Sequence, residues 1–219
     1  MRPLSGAIFD LDGTLADTLP VCYAAFRQVI RDRTGQTYTN DEILARFGPS
    51  EEGVLQRLAP VAAAESYCDF LAIYEREHRR CPRPFAGLRE ILDDLASAGV
   101  RLGVVTGKGP KTAEISLRLL GLEAYFDMVE AGSPAGAVKP AAMRRALEAW
   151  RLPAEQTISV GDSPSDIRSA REVGVTPLAA AWATGVRVER LEAEQPHALF
   201  RRVEEFRRWL QRARESGLD

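Results

Sequence analysis

From about residue 82 onward, short apolar runs alternate with amphipathic helical stretches, and this alternation limits the possible folds more than any other feature of the chain. Strand-like runs occupy Arg101–Val105, Met128–Val129, Thr157–Val160, Pro177–Ala181 and Ala198–Phe200. Helical patterns over Leu88–Ala98, from Pro110 to Gly121, over Ala141–Trp150 and over Pro164–Val173 alternate with them, and one more closes the chain. A further buried strand, Leu4–Phe9, stands at the start. Such alternation predicts a mostly parallel sheet with helices on both faces, joined by right-handed crossovers.

Residues 16–81 break this rhythm, because they carry helix signals and no strand signal. A helix over Pro20–Arg33 stops at Gly35, a suitable C-terminal cap. Thr39 and Glu42 have capping-box spacing, and Ser50 with Glu51 and Glu52 reads as another helix start. An apolar stripe runs from Val61 to Arg80, and Pro82, Pro84 and Gly87 mark the return to alternation. The expected architecture is α/β. Residues 1–15 and 82–219 form a Rossmann-like three-layer core, and 16–81 form an all-helical cap inserted after the first strand. With 219 residues, 45% of them hydrophobic, the chain can bury a core of that size.

Charge and termini exclude several functions. A formal net charge of -2 gives no electrostatic case for nucleic acid or an anionic membrane surface. The start MRPLSGAIFDLDGT does not read as a signal peptide, and no apolar run approaches the ~20 residues that span a bilayer. Cys22, Cys68 and Cys81 lack CxxC spacing and read as reduced thiols of a cytoplasmic protein, monomeric or homodimeric. His78, His197, Trp150, Trp182 and Trp209 read as packing or surface residues.

Open α/β sheets bind ligands at the carboxyl ends of their strands. After the first strand come Asp10, Asp12, Gly13 and Thr14, and after the second Thr106, Gly107 and Lys108. A Gly- and Pro-rich loop following the short strand leads to Lys139-Pro140, and the next strand is followed by Gly161, Asp162, Ser163 and Asp166. Asp10 and Asp12 lie two apart, so a regular strand would send both side chains from one face. Converging acids repel and raise one another's pKa unless a cation joins them. Oxygen-only ligands select a hard ion, Mg²⁺, which also binds substrate phosphate. A lysine and a hydroxyl supply donors for phosphate oxygens, and a carboxylate can act as the nucleophile. Among 29 Lys+Arg residues, lysine occurs only at 108, 111 and 139, which marks those positions as places where arginine's planar fork does not serve. The glycines from Gly103 to Lys108 are one residue short of a phosphate-binding P-loop.

The run Asp10-Leu11-Asp12-Gly13-Thr14, then Thr106, Lys139-Pro140, and Gly161-Asp162-Ser163-Pro164-Ser165-Asp166 resembles the four motifs of the haloacid dehalogenase superfamily, in order and across essentially the whole chain. The resemblance implies an aspartyl-phosphate phosphatase. Asp10 is then the nucleophile and Asp12 the general acid/base. Thr106, Gly107 and Lys139 bind the phosphoryl group. Asp10, Asp162 and the Asp12 backbone carbonyl hold Mg²⁺, and Asp166 holds its water shell. The second motif departs from the family, with Gly107 where Asn is frequent, so only a backbone N–H is offered there.

The resemblance also sorts the rivals. Dehalogenases of the family lack the second acid of the first motif, and phosphonate-cleaving members need a cap lysine, whereas no lysine precedes Lys108. Sugar phosphomutases place a histidine where this chain has Cys22. Asp17-Thr18-Leu19-Pro20 is similar to the phosphoglycolate phosphatase group, which makes 2-phosphoglycolate the leading small-molecule phosphate ester. The alternatives are a phosphomutase of the same superfamily, or a receiver-like module that retains phosphate on aspartate. Arg46, in the break Arg46-Phe47-Gly48-Pro49-Ser50 between cap helices, is the expected cap contact to substrate.

Overall fold

A computed structural model describes residues 3–136 and 138–218. The expected sheet is present, and every one of its strands runs parallel. β1 (Gly6–Phe9), β2 (Arg101–Val105), β3 (Met128–Glu130), β4 (Thr157–Gly161), β5 (Thr176–Ala180) and β6 (Ala198–Phe200) adopt the order β3-β2-β1-β4-β5-β6. β1 pairs with both β2 and β4, through Phe9↔Val104 and Phe9↔Val160 at its end. Strand order reverses between β1 and β4, and a crevice opens at such a switch point.

Alternation along the strands divides the core. Ala7 and Phe9 of β1, Leu102 and Val104 of β2, and Ile158 and Val160 of β4 face one layer. There they pack on Leu88, Ile91, Leu92 and Leu95 of α5 (Leu88–Ser97), on α6 (Pro110–Leu120) and on Phe206 and Leu210 of α10 (Val203–Ser216). Ile8 and Val105 face the other layer, against α7 (Lys139–Trp150) and α8 (Pro164–Val173). Buried on both faces, these strands read as short apolar runs rather than polar–apolar stripes. Gly103 leaves room for an aromatic ring, since a Cβ there would lie 2.8 Å from Trp150 Cζ2.

Residues between β1 and α5 form four α-helices: α1 (Leu19–Thr34), α2 (Asn40–Leu44), α3 (Glu51–Leu58) and α4 (Ala63–His78). They bury a core of their own in which Phe26, Ile30, Ile43, Leu55, Phe70 and Tyr74 are inaccessible. The termini follow the sequence signals: Gly35 takes φ 72 and caps α1 through Arg31, and Thr39 and Glu42 make the reciprocal capping box. This helical block rests on the α/β core. Ser50 N donates to Ser133 O at 2.9 Å, and the Tyr74 and Ser116 hydroxyls lie 2.8 Å apart.

Two details differ from expectation. Lys139 is the first residue of α7 rather than part of the loop before it, because Pro140 fits the first helical turn, where its missing N–H has no partner to lose. A short helix, α9 (Val188–Ala193), also occurs where no pattern was evident. Among the described residues, no helix is long and apolar enough to cross a membrane.

Candidate active site

The site lies at the switch point, where β1 and β4 end. Asp10 follows β1, and its backbone N–H donates to Val160 O at 2.9 Å, so the sheet itself fixes its Cα. Asp162 follows β4, and Asp166 lies on the first turn of α8. A capping box sets the Asp166 side chain: its Oδ2 accepts from the N–H of Ser163 at 3.1 Å and from Ser163 Oγ at 2.6 Å. Its Oδ1 is thereby turned toward Lys139.

Asp10, Asp162 and Asp166 each direct one carboxylate oxygen into a group whose members lie within 4.8 Å of one another. Gly13 makes this approach possible. It takes φ 72, and a Cβ there would collide with the Asp162 carboxylate. One cation answers the three acids from within the protein. Lys139 Nζ donates to Asp10 Oδ1 at 2.9 Å and also to Asp166 Oδ1. Burial works against the Lys139 ammonium, but Asp10 and Asp166 outweigh it and raise its pKa. Burial pushes the Asp10 carboxyl up to about 7, with Lys139 opposing and Asp166 and Asp12 reinforcing the rise. Burial also carries Asp162 well above the ordinary carboxylate range, helped by Asp10 and Asp166. Three carboxylates against one ammonium leave negative charge uncompensated, and all the donor atoms are oxygen. The residues fit a hard divalent cation.

Asp12 stands apart from this group. Its carboxylate accepts from the Thr18 hydroxyl and from Lys108 Nζ, at 3.2 Å to Oδ1 and 3.1 Å to Oδ2. As a metal ligand, Asp12 therefore has its backbone carbonyl to offer rather than its side chain. Thr106 is buried at the end of β2, and its Oγ1 accepts from the N–H of Lys108 at 3.3 Å. A Cβ built on Gly107 would meet nothing, so the backbone there is open to a ligand.

Asp10, Asp12, Thr106, Gly107, Lys139 and Asp162 all border a cavity of about 370 Å³ between the sheet and the helical block. The far wall is largely apolar, with Leu19, Phe26, Phe47 and Val54 among its residues. Arg46 does not reach it. Its guanidinium lies 4.7 Å from the centre of the Tyr38 ring and donates to Glu42 O, so the expected cap contact packs within the helical block instead. Its neighbours Phe47, Gly48 and Pro49 line the chamber instead.

Sequence reasoning assigned no role to two members of the site. Glu51 was legible only as a helix-start acid, yet its side chain is buried against Lys108 and Gly109. Lys108 had two signals, its place after the second strand and the scarcity of lysine, but nothing to show its partners.

A parallel sheet that brings carboxylates, one lysine and one hydroxyl together at its switch point defines an α/β protein built to handle phosphoryl groups. Residues 7–180 match the haloacid dehalogenase-like hydrolases, and the chain belongs to that family. It is 31% identical over 198 residues to PpaX of Caldanaerobacter subterraneus subsp. tengcongensis, covering 88% of each chain. It is also 27% identical to the pyrophosphatase PpaX of Bacillus mycoides, covering 88% of this chain and 90% of the relative. CbbY of Rhodobacter sphaeroides, solved with xylulose-(1,5)bisphosphate, shares the fold with a TM-score of 0.78 at 21% identity, over 91% of this chain and 94% of that one. The protein is thus a phosphatase of this family, and the receiver-like alternative falls.

Proposed function

We propose that the protein is a Mg²⁺-dependent phosphatase that hydrolyses a small phosphate monoester through a phosphoryl group carried on Asp10. The observation that supports this most is the separation of the acids. Asp10, Asp162 and Asp166 gather around one point with Lys139, while Asp12 faces the chamber from a different set of partners. Residues 16–81 serve as a cap over the core formed by 1–15 and 82–219, and the cavity between them is the substrate chamber.

Asp10, Asp162 and the Asp12 carbonyl would hold Mg²⁺, with Asp166 beside them, and the bound ion would neutralise charge on the phosphoryl oxygens. A carboxylate oxygen of Asp10 attacks phosphorus as the bond to the leaving oxygen breaks, and Asp12 gives that oxygen its proton. Water then attacks the same phosphorus, Asp12 takes a proton from it, and the Asp10–phosphorus bond breaks to release phosphate. Lys139, Thr106 and the Gly107 N–H hold the phosphoryl oxygens through both steps. No histidine borders the chamber among the described residues, which favours transfer to water over the phosphomutase alternative.

The likeness of Asp17-Thr18-Leu19-Pro20 to the phosphoglycolate phosphatase group supports 2-phosphoglycolate as the substrate. The name of the Bacillus mycoides relative puts pyrophosphate beside it. A screen of about a hundred phosphate compounds, each with and without Mg²⁺, ranks these two against other esters. Rapid-quench labelling with an aryl phosphate tests the roles of the acids. Asp12→Ala should accumulate acid-stable, hydroxylamine-sensitive phosphate on Asp10, and Asp10→Asn should show none. Label on Asp12, or turnover with no label under any condition, would refute the assignment.

A further inference from the structure

Lys108 is a buried cation to which neither phosphoryl binding nor the three-carboxylate group gives a task. Its side chain is 2% exposed, and four groups from separate elements converge on it. Both oxygens of Asp12, after β1, lie 3.1 and 3.2 Å from Nζ. Glu51 Oε1, from the first residue of α3, lies 3.4 Å away. The face of Tyr74, from α4, has its centre 4.5 Å from Nζ, and the Cys22 side chain of α1 is buried close by. Glu51 is itself anchored to the core, because its Oε2 accepts the N–H of Gly109 at 2.6 Å.

We propose that Lys108 is the positioning residue for Asp12, holding the Asp12 carboxylate at the chamber and apart from the metal group, and that Glu51 of the helical block keeps Lys108 in place. The proposal rests on the reading of Asp12 as proton donor and acceptor. The physical need is plain. Asp12 follows Asp10 by two residues, and an unrestrained carboxylate that close to a divalent cation would be drawn in as a fourth ligand, where it could not serve the leaving oxygen or the water. A bidentate contact with a buried ammonium opposes that movement, and Thr18 adds a second restraint on Oδ1. Lysine suits the place. A compact ammonium can face two carboxylates and an aromatic ring at once, whereas a planar guanidinium needs its partners in one plane. Because Glu51 belongs to the block and Asp12 to the core, this clamp is complete only when the block rests on the core.

The test compares two esters of nearly equal shape, phenyl phosphate and p-nitrophenyl phosphate, on the full chain with Mg²⁺ present. The p-nitrophenolate group leaves without needing a proton, so only phenyl phosphate requires a well-placed donor in the transfer step. Lys108→Met should slow phenyl phosphate transfer by about 10-fold to 10³-fold, a share of the ~10²–10⁴ that positioned proton transfer provides, and alter the p-nitrophenyl transfer step by less than about 3-fold. On phenyl phosphate, the Asp12→Ala/Lys108→Met double variant should be no slower than Asp12→Ala, since both remove one function. Equal losses on the two esters, or additive losses in the double variant, would overturn the proposal.

Lys108→Met leaves the buried Glu51 and the half-buried Asp12 carboxylates without their cation and can unfold the chain for that reason alone. Lys108→Met/Glu51→Gln removes one of those charges and keeps an acceptor for Gly109, and the same ester-dependent pattern is expected of it. The underlying reading is tested separately by Asp12→Ala alone. No leaving-group dependence in Asp12→Ala would defeat the role of Asp12 and this proposal with it. Dependence in Asp12→Ala but not in the Lys108 variants defeats the proposal and leaves the role of Asp12 standing.

Discussion

Replacing Lys139 by arginine separates shape from charge at the centre of the site. Lys139 Nζ lies 2.9 Å from Asp10 Oδ1 and also contacts Asp166, in surroundings that leave its side chain 12% exposed. At that separation and an effective permittivity of about 20, the gross Lys139–Asp10 attraction is about 6 kcal/mol before desolvation is subtracted. Asp10 needs this attraction, because burial pushes its carboxyl up to about 7 even with Lys139 opposing the rise. Lys139→Met should therefore leave Asp10 protonated, and unreactive, at neutral pH in the absence of metal. Lys139→Arg keeps the charge but spreads it over a planar fork on a longer stem. A fork cannot set one nitrogen between the Asp10 and Asp166 oxygens without entering the space the phosphoryl group requires. The expected loss in kcat/KM is about 10²–10³-fold, or ~2.7–4 kcal/mol, the size of losing one preorganised donor to a developing charge. Steady-state phosphate release across a Mg²⁺ titration measures it and separates weakened metal binding from weakened catalysis. Wild-type kinetics in Lys139→Arg would show that the site needs only a positive charge and that the packing argument is wrong.

Excess EDTA should abolish phosphate release and added Mg²⁺ restore it, because Asp10, Asp162 and Asp166 offer a cation only oxygen; an undiminished rate in chelator would contradict this. In chelator the native Asp10 carboxyl titrates at about 7 against 3.8 for the unconstrained group, so the folded state binds more protons between these values. Its contribution to stability is fully present below 3.8 and is lost as pH rises through 7, and burial of Asp162 acts in the same direction. The Tm in EDTA should therefore fall from pH 5 to pH 8, more steeply than with Mg²⁺, and parallel profiles would refute it. Arg46→Ala should keep kcat/KM within about 2-fold on every ester, whereas Phe47→Ala, at the chamber wall, should shift the ratio between bulky and minimal esters by about 10-fold. Reversed results, measured on a small ester panel, would put Arg46 back in the chamber.

Strands and helices were legible wherever the chemistry that makes them is local. β2 and β6 run over Arg101–Val105 and Ala198–Phe200, the same residues that the apolar runs mark, and α8 begins at Pro164 and ends before Gly174 as its caps dictate. α9 was not legible, because Leu191 is its one buried residue and a single apolar position has no period. The candidate site divides along the same line. Asp10, Thr106 and Asp162 are fixed by the strand each one follows, so reading the strands located them. Arg46 was misplaced because its partner, Tyr38, lies at the other end of α2, and only packing shows that the guanidinium sits over that ring. Glu51 and Lys108 are 57 positions apart and meet only once the block is laid on the core, a contact that neither residue's local sequence encodes.

The two acids of the first motif show how a small change in backbone path assigns chemistry. A regular strand would have turned Asp10 and Asp12 to one face, where both carboxylates would compete for the same ion. Pairing instead ends at Phe9, and the chain then folds back on itself, with Gly13 N bonded to Ala16 O at 2.9 Å and Asp12 bridged to Ala16. The period-two rule therefore lapses after Phe9. Asp10 stays with the sheet through its bond to Val160, while Asp12 belongs to the turn and is carried toward Thr18 and Lys108. Gly13 lets this happen twice over. Its left-handed φ makes the reversal, and its missing side chain admits Asp162 into the space that Asp12 has left. Four acids that would repel one another on a flat sheet end are thus sorted into three gathered within 4.8 Å of one another and one held apart by Thr18 and Lys108.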